Sequence, residues 1–313
     1  MKYRRLGGSG LKVSEISLGS WMTYGGYVEN EKAIKSIEQA YDLGVNFFDT
    51  ANAYERGEAE KVVGKILNAY PRDSYVLATK VFWPMGDGPN DRGLSRKHLM
   101  EQCHASLKRM NMDYVDIYYC HRYDTQTPVE ETLRAIDDLI SQGKVLYAGI
   151  SEWTAAQMQE ALAIADKYLL DRIIVNQPVY NMFNRYIEKE IIPLGTKSGI
   201  GQVVFSPLAQ GILTGKYRSG SAIPSDSRAA SKNWGENNLK EDQLIKVEQL
   251  EKISDELGIK ISQLALAWIL RQDNVSSTLV GASRPEQVVE NCAASGITLE
   301  TEVLEKIEAI LNS

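Results

Sequence analysis

Asp49, Tyr54, Lys80 and His121 lie at or just beyond the ends of three apolar runs, "VNFFD", "SYVLATK" and "YVDIYYCH". A phenol titrates near pH ~10 and is a poor acid at neutrality. A lysine ammonium beside it favours phenolate, so Lys80 is expected to lower the value of Tyr54. A carboxylate beside that lysine holds it in place and keeps it charged, and a neutral imidazole can hydrogen-bond a carbonyl oxygen. Together the four supply a general acid and an oxyanion-type environment, the chemistry of carbonyl reduction. Taken singly, each has an ordinary role: Asp49 as a turn carboxylate, Tyr54 as packing, Lys80 as a solvated strand end, His121 as a rim histidine served by its neighbours in "HRYD". Their succession on neighbouring strand ends, roughly 4.8 Å apart per strand, points to one site.

The elements that must position them alternate regularly. "KYRRLGG" and "LKVSEI" flank a Gly-Ser-Gly turn and read as a short hairpin. Eight core strands follow, centred near Ile16, Phe47, Val76, Asp116, Leu146, Ile174, Val204 and Leu279, with helical periodicity between them. Helix starts are marked by Asn30, Ser95 and Pro128, and "YIEKEIIPLGTKSG" reads as one further helix. Strands separated by helices imply parallel pairing, and eight such units in ~250 residues match a closed (β/α)8 TIM barrel, with an N-terminal β-hairpin and extra C-terminal helices. Residues 1–313 are read as one barrel domain. An open dinucleotide-binding sheet is the rival, but Gly8-Ser9-Gly10 lacks a third glycine and sits in the hairpin. Residues 217–240 form a long Ser-, Gly- and Asn-rich stretch, read as a loop that closes over a bound ligand.

The net charge of −6 and pI near 5.3 argue against nucleic acid or an anionic membrane as partner. No apolar run approaches the ~20 residues of a membrane span, and the basic N-terminus lacks the apolar segment of a secretory signal. Cys103, Cys120 and Cys292 form no CxxC pair and are expected as reduced thiols in a cytoplasmic protein. His98, His104 and His121 form no metal-binding motif, so no metal is expected.

"FFDTANAYERGEAEKVVGKIL", "LATK" and "YYCHR" resemble the catalytic motifs of the aldo-keto reductases. "GLSRKHLMEQCHASLKRMNMDYVDIYYCHRYD", "TPVEETLRAIDDLISQGK", "FSPLAQGILTGKY" and "SSTLVGASRPEQVVEN" are most similar to the group containing the potassium-channel beta subunits. The resemblance runs from Tyr3 to the last helix. It implies NADPH-dependent reduction of aldehydes and ketones without metal or flavin, with NADH the less favoured cofactor. Tyr54 would be the proton donor, Lys80 its activator, Asp49 the partner of Lys80, and His121 the group that orients the carbonyl. Ser20, Trp21, Asp49, Ser151 and Gln177 would meet the nicotinamide and its ribose. Phe205, Ser206, Pro207, Leu208, Gln210 and Gly211 would flank the pyrophosphate, and Lys216 and Arg228 would add positive charge. Gly281, Ser283 and Arg284 would serve the 2′-phosphate at a helix start, and Gln287, Glu290 and Asn291 the adenine. Trp21, Tyr24, Tyr27, Trp83 and Tyr123 would wall the substrate.

Three positions depart from the pattern of the group. Glu152 stands where arginine is frequent, Phe205 where many relatives carry tryptophan, and His121 where channel subunits often carry asparagine. A cofactor-binding regulatory module is the alternative function, and His121 favours the enzyme. A barrel isomerase or lyase is disfavoured by the Tyr54/Lys80 pairing and the "GASRPEQ" segment. The resemblance also implies a possible homo-oligomer, a tetramer or larger ring.

Overall fold

In a β-strand successive side chains point to opposite faces, so each apolar run here divides into two sets. Phe47, Val76, Ala78, Ile117, Tyr119, Val175, Val203 and Leu279 pack together as one cluster, while Phe48, Leu77, Tyr118 and Val204 belong to another. Only a sheet buried on both faces accommodates this, and the closed barrel does so. The computed structural model describes residues 1–21, 30–224, 229 and 239–313.

The hairpin strands β1 (Tyr3–Arg5) and β2 (Lys12–Ser14) pair antiparallel. The barrel strands follow: β3 (Ile16–Gly19), β4 (Phe47–Asp49), β5 (Val76–Val81), β6 (Val115–Cys120), β7 (Val145–Ser151), β8 (Ile173–Gln177), β9 (Gly201–Phe205) and β10 (Val275–Val280). They pair in parallel in that order, and β10 closes on β3. All eight expected strand centres lie in these strands, so the fold is the (β/α)8 barrel read from the alternation.

Helices cover the outside: α1 (Asn30–Asp42), α2 (Glu58–Leu67), α3 (Arg96–Met110), α4 (Val129–Ser141), α5 (Ala155–Tyr168), α6 (Ile191–Ser198), α7 (Glu241–Glu256), α8 (Ile261–Leu270), α9 (Pro285–Cys292) and α10 (Thr301–Asn312). Ser95 caps α3, its Oγ accepting from the His98 N–H at 3.3 Å. Pro128 precedes α4, and Thr154 forms a reciprocal capping box with Gln157 on α5. The expected helix over 186–199 is two pieces, a 3-10 turn at Tyr186–Glu188 and then α6. Pro193 has no N–H to donate, which suits the first turn of a helix, so α6 starts just ahead of it.

Leu6 and Val13 of the hairpin pack into the lumen cluster from the N-terminal end of the strands. The other end of the barrel, where every strand leaves toward its helix, is open to function. No helix among the described residues is long and apolar enough to cross a membrane.

Candidate active site

The lumen set continues upward by steps of two. Above Phe47 comes Asp49; above Val76 and Ala78 comes Lys80; above Ile117 and Tyr119 comes His121. Ser151, Gln177 and Phe205 occupy the same parity on β7, β8 and β9. Each apolar stack therefore ends in a polar or aromatic side chain directed into the barrel mouth. Register fixes their heights: Asp49 is beside Ala78, Lys80 beside Tyr119, and Ser151 beside Gln177. The third and fourth strands run one residue differently from the expected ends, with Val81 closing β5 and His121 following Cys120. Gly149 leaves room for the Tyr119 ring, since a Cβ there would be 2.5 Å from Tyr119 Cδ1.

Lys80 is the centre of the cluster. Its side chain is fully buried and its ammonium donates to Asp49 Oδ1, to the Thr50 carbonyl at 2.9 Å and to the Tyr54 phenol oxygen at 3.1 Å. Three partners use all three N–H donors. Asp49 is equally enclosed, and its second oxygen accepts from Gln177 Nε2 at 2.9 Å. Burial pushes the Asp49 carboxyl upward while Lys80 opposes the push. Burial also works against the Lys80 charge, yet Asp49 and Tyr54 hold the ammonium above its ordinary value, so it stays protonated. Lys80 pulls the Tyr54 phenol down, as expected, but burial is the larger effect and the net direction is upward. The phenol therefore carries its proton at neutrality.

His121 completes the group. Its ring meets that of Tyr54 at 5.6 Å and that of Trp83 at 6.2 Å, both edge-on. Nδ1 is buried without a hydrogen-bond partner. Burial, then Lys80 and Arg122, hold the imidazole well below its ordinary value, which makes it neutral and able to donate or accept one hydrogen bond.

Tyr54 is placed by a loop rather than a strand. The turn Tyr54–Gly57 carries Glu55 and Arg56 at φ 46° and 52° and Gly57 at φ 94°. A Cβ on Gly57 would lie 2.5 Å from Arg109 Cδ. Arg109 is itself fixed, because its Nε donates to the fully buried Glu60 at 2.5 Å, and Glu60 also accepts from Thr79 Oγ1 on β5. Asn52 ties the start of the loop to α3 through Gln102 at 3.1 Å. The turn is thus braced from both sides.

The expected cofactor residues gather on the neighbouring sector. The Ser20 N–H donates to the Asp49 carbonyl at 2.9 Å, while the hydroxyls of Ser20 and Thr50 are buried and unpartnered. Ser151 Oγ donates to the Gln177 carbonyl at 2.8 Å. After Phe205, Ser206, Ala209, Gln210 and Gly211 all take positive φ, and Pro207 and Leu208 lie between them. The run is a pair of tight turns: the Ala209 N–H donates to the Ser206 carbonyl at 3.0 Å and the Gly211 N–H to the Leu208 carbonyl at 2.9 Å. The Lys216 side chain passes beside Gly211, 3.2 Å from a Cβ built there. Across β10, Gly281 leads to Ser283 and Arg284, with Arg284 exposed at the start of α9. Gln287 Oε1 accepts from the Ser283 N–H at 2.9 Å and from its Oγ at 3.1 Å. Asn291 is buried, and the Glu290 carboxylate is taken by Ser262 Oγ on α8 at 2.5 Å.

The substrate wall is only partly as expected. Trp83 joins the site, and Trp21 lies exposed after β3. Tyr123 turns away: its ring packs edge-on against Trp153 at 4.8 Å and its hydroxyl donates to Glu160 of α5 at 3.2 Å. An aromatic side chain on the outer flank of a strand end finds helix rather than lumen. Tyr24, Tyr27 and Arg228 lie outside the described residues, as does most of the 217–240 stretch.

Two residues escaped the sequence reading. The Thr50 carbonyl takes one of the three Lys80 bonds, and no side-chain pattern signals a backbone acceptor. Arg122 donates from Nη1 to the His121 carbonyl at 2.5 Å and to Ser151 Oγ at 3.4 Å, and lies over the Trp83 ring at 5.6 Å. Its position directly after His121 was the available signal.

Residues 15–312 match the model of the aldo/keto reductase family. A protein of Arabidopsis thaliana called "Probable voltage-gated potassium channel subunit beta" is 48% identical over 321 residues, covering 100% of this chain and 97% of the relative. One of the same description from Oryza sativa subsp. japonica is 46% identical over 321 residues, with the same coverage.

Proposed function

The chain belongs to the aldo/keto reductase family and is an oxidoreductase; from that premise we propose that it reduces aldehydes and ketones to alcohols with NADPH. The observation that carries this reading is the bonding of Lys80. Because its ammonium donates to the Tyr54 oxygen at 3.1 Å, the O–H of the phenol remains free to donate to a substrate carbonyl.

The residues present fit a bound dinucleotide phosphate. Ser20 and Thr50 offer buried unpartnered hydroxyls, and Lys216 stands beside the tightly turned segment from Ser206 to Gly211. Arg284 at the start of α9 would meet a 2′-phosphate, which is why NADPH is favoured over NADH. Bound there, the reduced nicotinamide supplies a hydride for the carbonyl carbon.

The chain supplies the rest. His121, neutral, hydrogen-bonds the carbonyl oxygen and orients it. Tyr54 gives its proton to that oxygen as negative charge develops on it. Lys80 stabilises the phenolate that remains, and Asp49 with Gln177 holds Lys80 where its charge counts. Trp83, edge-on to His121, walls the reacting group on one side.

The names of the relatives favour a second reading, a nicotinamide-binding barrel whose main task is association with a channel. Location in the cytoplasm and assembly into a homo-oligomer belong to either reading. The test is consumption of NADPH by the purified protein with 4-nitrobenzaldehyde, followed by identification of the alcohol. Stoichiometric alcohol formation supports the reductase. Tight NADPH binding with no turnover across several carbonyls supports the channel-associated module instead.

A further inference from the structure

Arg122 is a cation at the mouth of the site that the chemistry above leaves unused. Lys80, the other cation there, is matched by Asp49. Arg122 has no carboxylate within ion-pair distance among the described residues, and its hydrogen bonds come from Nη1 alone, to one carbonyl and one hydroxyl. A guanidinium carries five N–H donors. Those on Nε and Nη2 are unpartnered and not enclosed. Asp124, the nearest carboxylate in sequence, accepts from the Leu94 and Gln126 N–H groups at 2.8 and 2.9 Å and from Thr127 Oγ1 at 2.8 Å. Glu152, the residue after Ser151, also directs Oε1 elsewhere. It accepts from the Val179 N–H at 2.5 Å and from the Tyr186 hydroxyl at 3.1 Å.

The guanidinium is also held still. Two hydrogen bonds fix one edge, and the Trp83 ring lies under its carbon at 5.6 Å. Its field reaches the reacting groups: it helps depress His121 and opposes the rise of Tyr54. A half-buried, pre-oriented and unpaired guanidinium within range of the proton donor is suited to planar, bidentate recognition of a carboxylate.

We propose that Arg122 is a specificity-determining residue that binds a carboxylate of the substrate, so that the preferred substrates are aldehydes or ketones bearing an acid group. This rests on the reductase reading and narrows it. The carboxylate would lie against Nε and Nη2 while the carbonyl reaches Tyr54 and His121.

The test has two arms, each run on wild type, Arg122→Met and Arg122→Lys. In the first, kcat/KM is measured for 3- and 4-formylbenzoate and for their neutral methyl esters. The acid-to-ester ratio should exceed unity in wild type for one of the two isomers and fall about ten- to a hundredfold in Arg122→Met, the range of one charge-assisted pair. Arg122→Lys should retain part of it. A merely structural role would slow acid and ester together and leave the ratio unchanged. In the second, benzoate and benzamide are titrated calorimetrically into protein saturated with NADP+. Benzoate should bind more tightly, and that advantage should vanish in Arg122→Met. Ester reduction with no preference for the acid would overturn the proposal and leave the reductase intact. Benzoate binding that depends on Arg122, with no turnover of any aldehyde, would keep the anion site and remove the reductase.

Discussion

Charge at the site is handled residue by residue. The Asp49–Lys80 pair is fully enclosed, and such a pair costs desolvation that only complete hydrogen bonding offsets. Gln177, Thr50 and Tyr54 complete it. His121 faces the opposite situation, a base with two cations nearby and a buried, unpartnered Nδ1. Its folded-state value lies below the ordinary ~6.5, so as pH falls past that value the unfolded chain takes up a proton that the folded chain refuses. The unfolded state then binds more protons, and stability falls with falling pH. Urea unfolding of wild type and His121→Asn between pH 7 and 5 checks this. The wild type should lose up to about 1.4 kcal/mol per pH unit more than the variant over that window. His98, also depressed by burial, is present in both proteins and cancels in the difference. Parallel pH profiles would contradict the account of His121.

At the scale of elements, strands and loops differ in how they carry the site. Asp49, Lys80, His121, Ser151, Gln177 and Phe205 share the lumen parity of their strands, so the barrel that builds the core also aims the site. All but Phe205 were legible in the sequence because an apolar run that stops on a polar residue marks a strand end; Phe205 was reached through the family resemblance alone. The Tyr54 loop was legible as a motif but not as a shape, since its turn depends on Gly57 meeting Arg109 and on Glu60 reaching Thr79, contacts far apart along the chain. Gly57→Ala should expose that dependence. It forces a Cβ into a left-handed residue and against an arginine already fixed by Glu60, at a cost of about 1–3 kcal/mol. Turnover should fall more than cofactor affinity, because Tyr54 moves with the turn. Stability from thermal unfolding and kcat from the NADPH assay give the two readouts. The break ahead of α6 had a signal in Pro193, which suits a first helical turn, whereas the outward turn of Tyr123 was not legible, for a related reason. Periodicity identifies a face, and packing against α5 decides which neighbour that face meets.

For the whole molecule, the barrel separates stability from chemistry. The hairpin closes the N-terminal end with Leu6 and Val13, and the lumen cluster runs from there to Lys80 and Asp49 at the other end. Leu6→Ala removes a fully buried side chain from that plug and should cost about 2–5 kcal/mol. At a temperature where the variant remains folded, kcat/KM should stay within about twofold of wild type, because conservation of activity depends on the opposite face. A large loss of kcat/KM in folded Leu6→Ala would show that the two ends are coupled.

The most direct test of the central claim is turnover by Tyr54→Phe beside wild type, with NADPH affinity measured in both by fluorescence titration. The account predicts loss of kcat by about 10²–10⁴, the contribution of a positioned general acid, with NADPH bound as in wild type. A variant that reduces aldehydes as fast as wild type while binding NADPH normally would show that Tyr54 is not the proton donor.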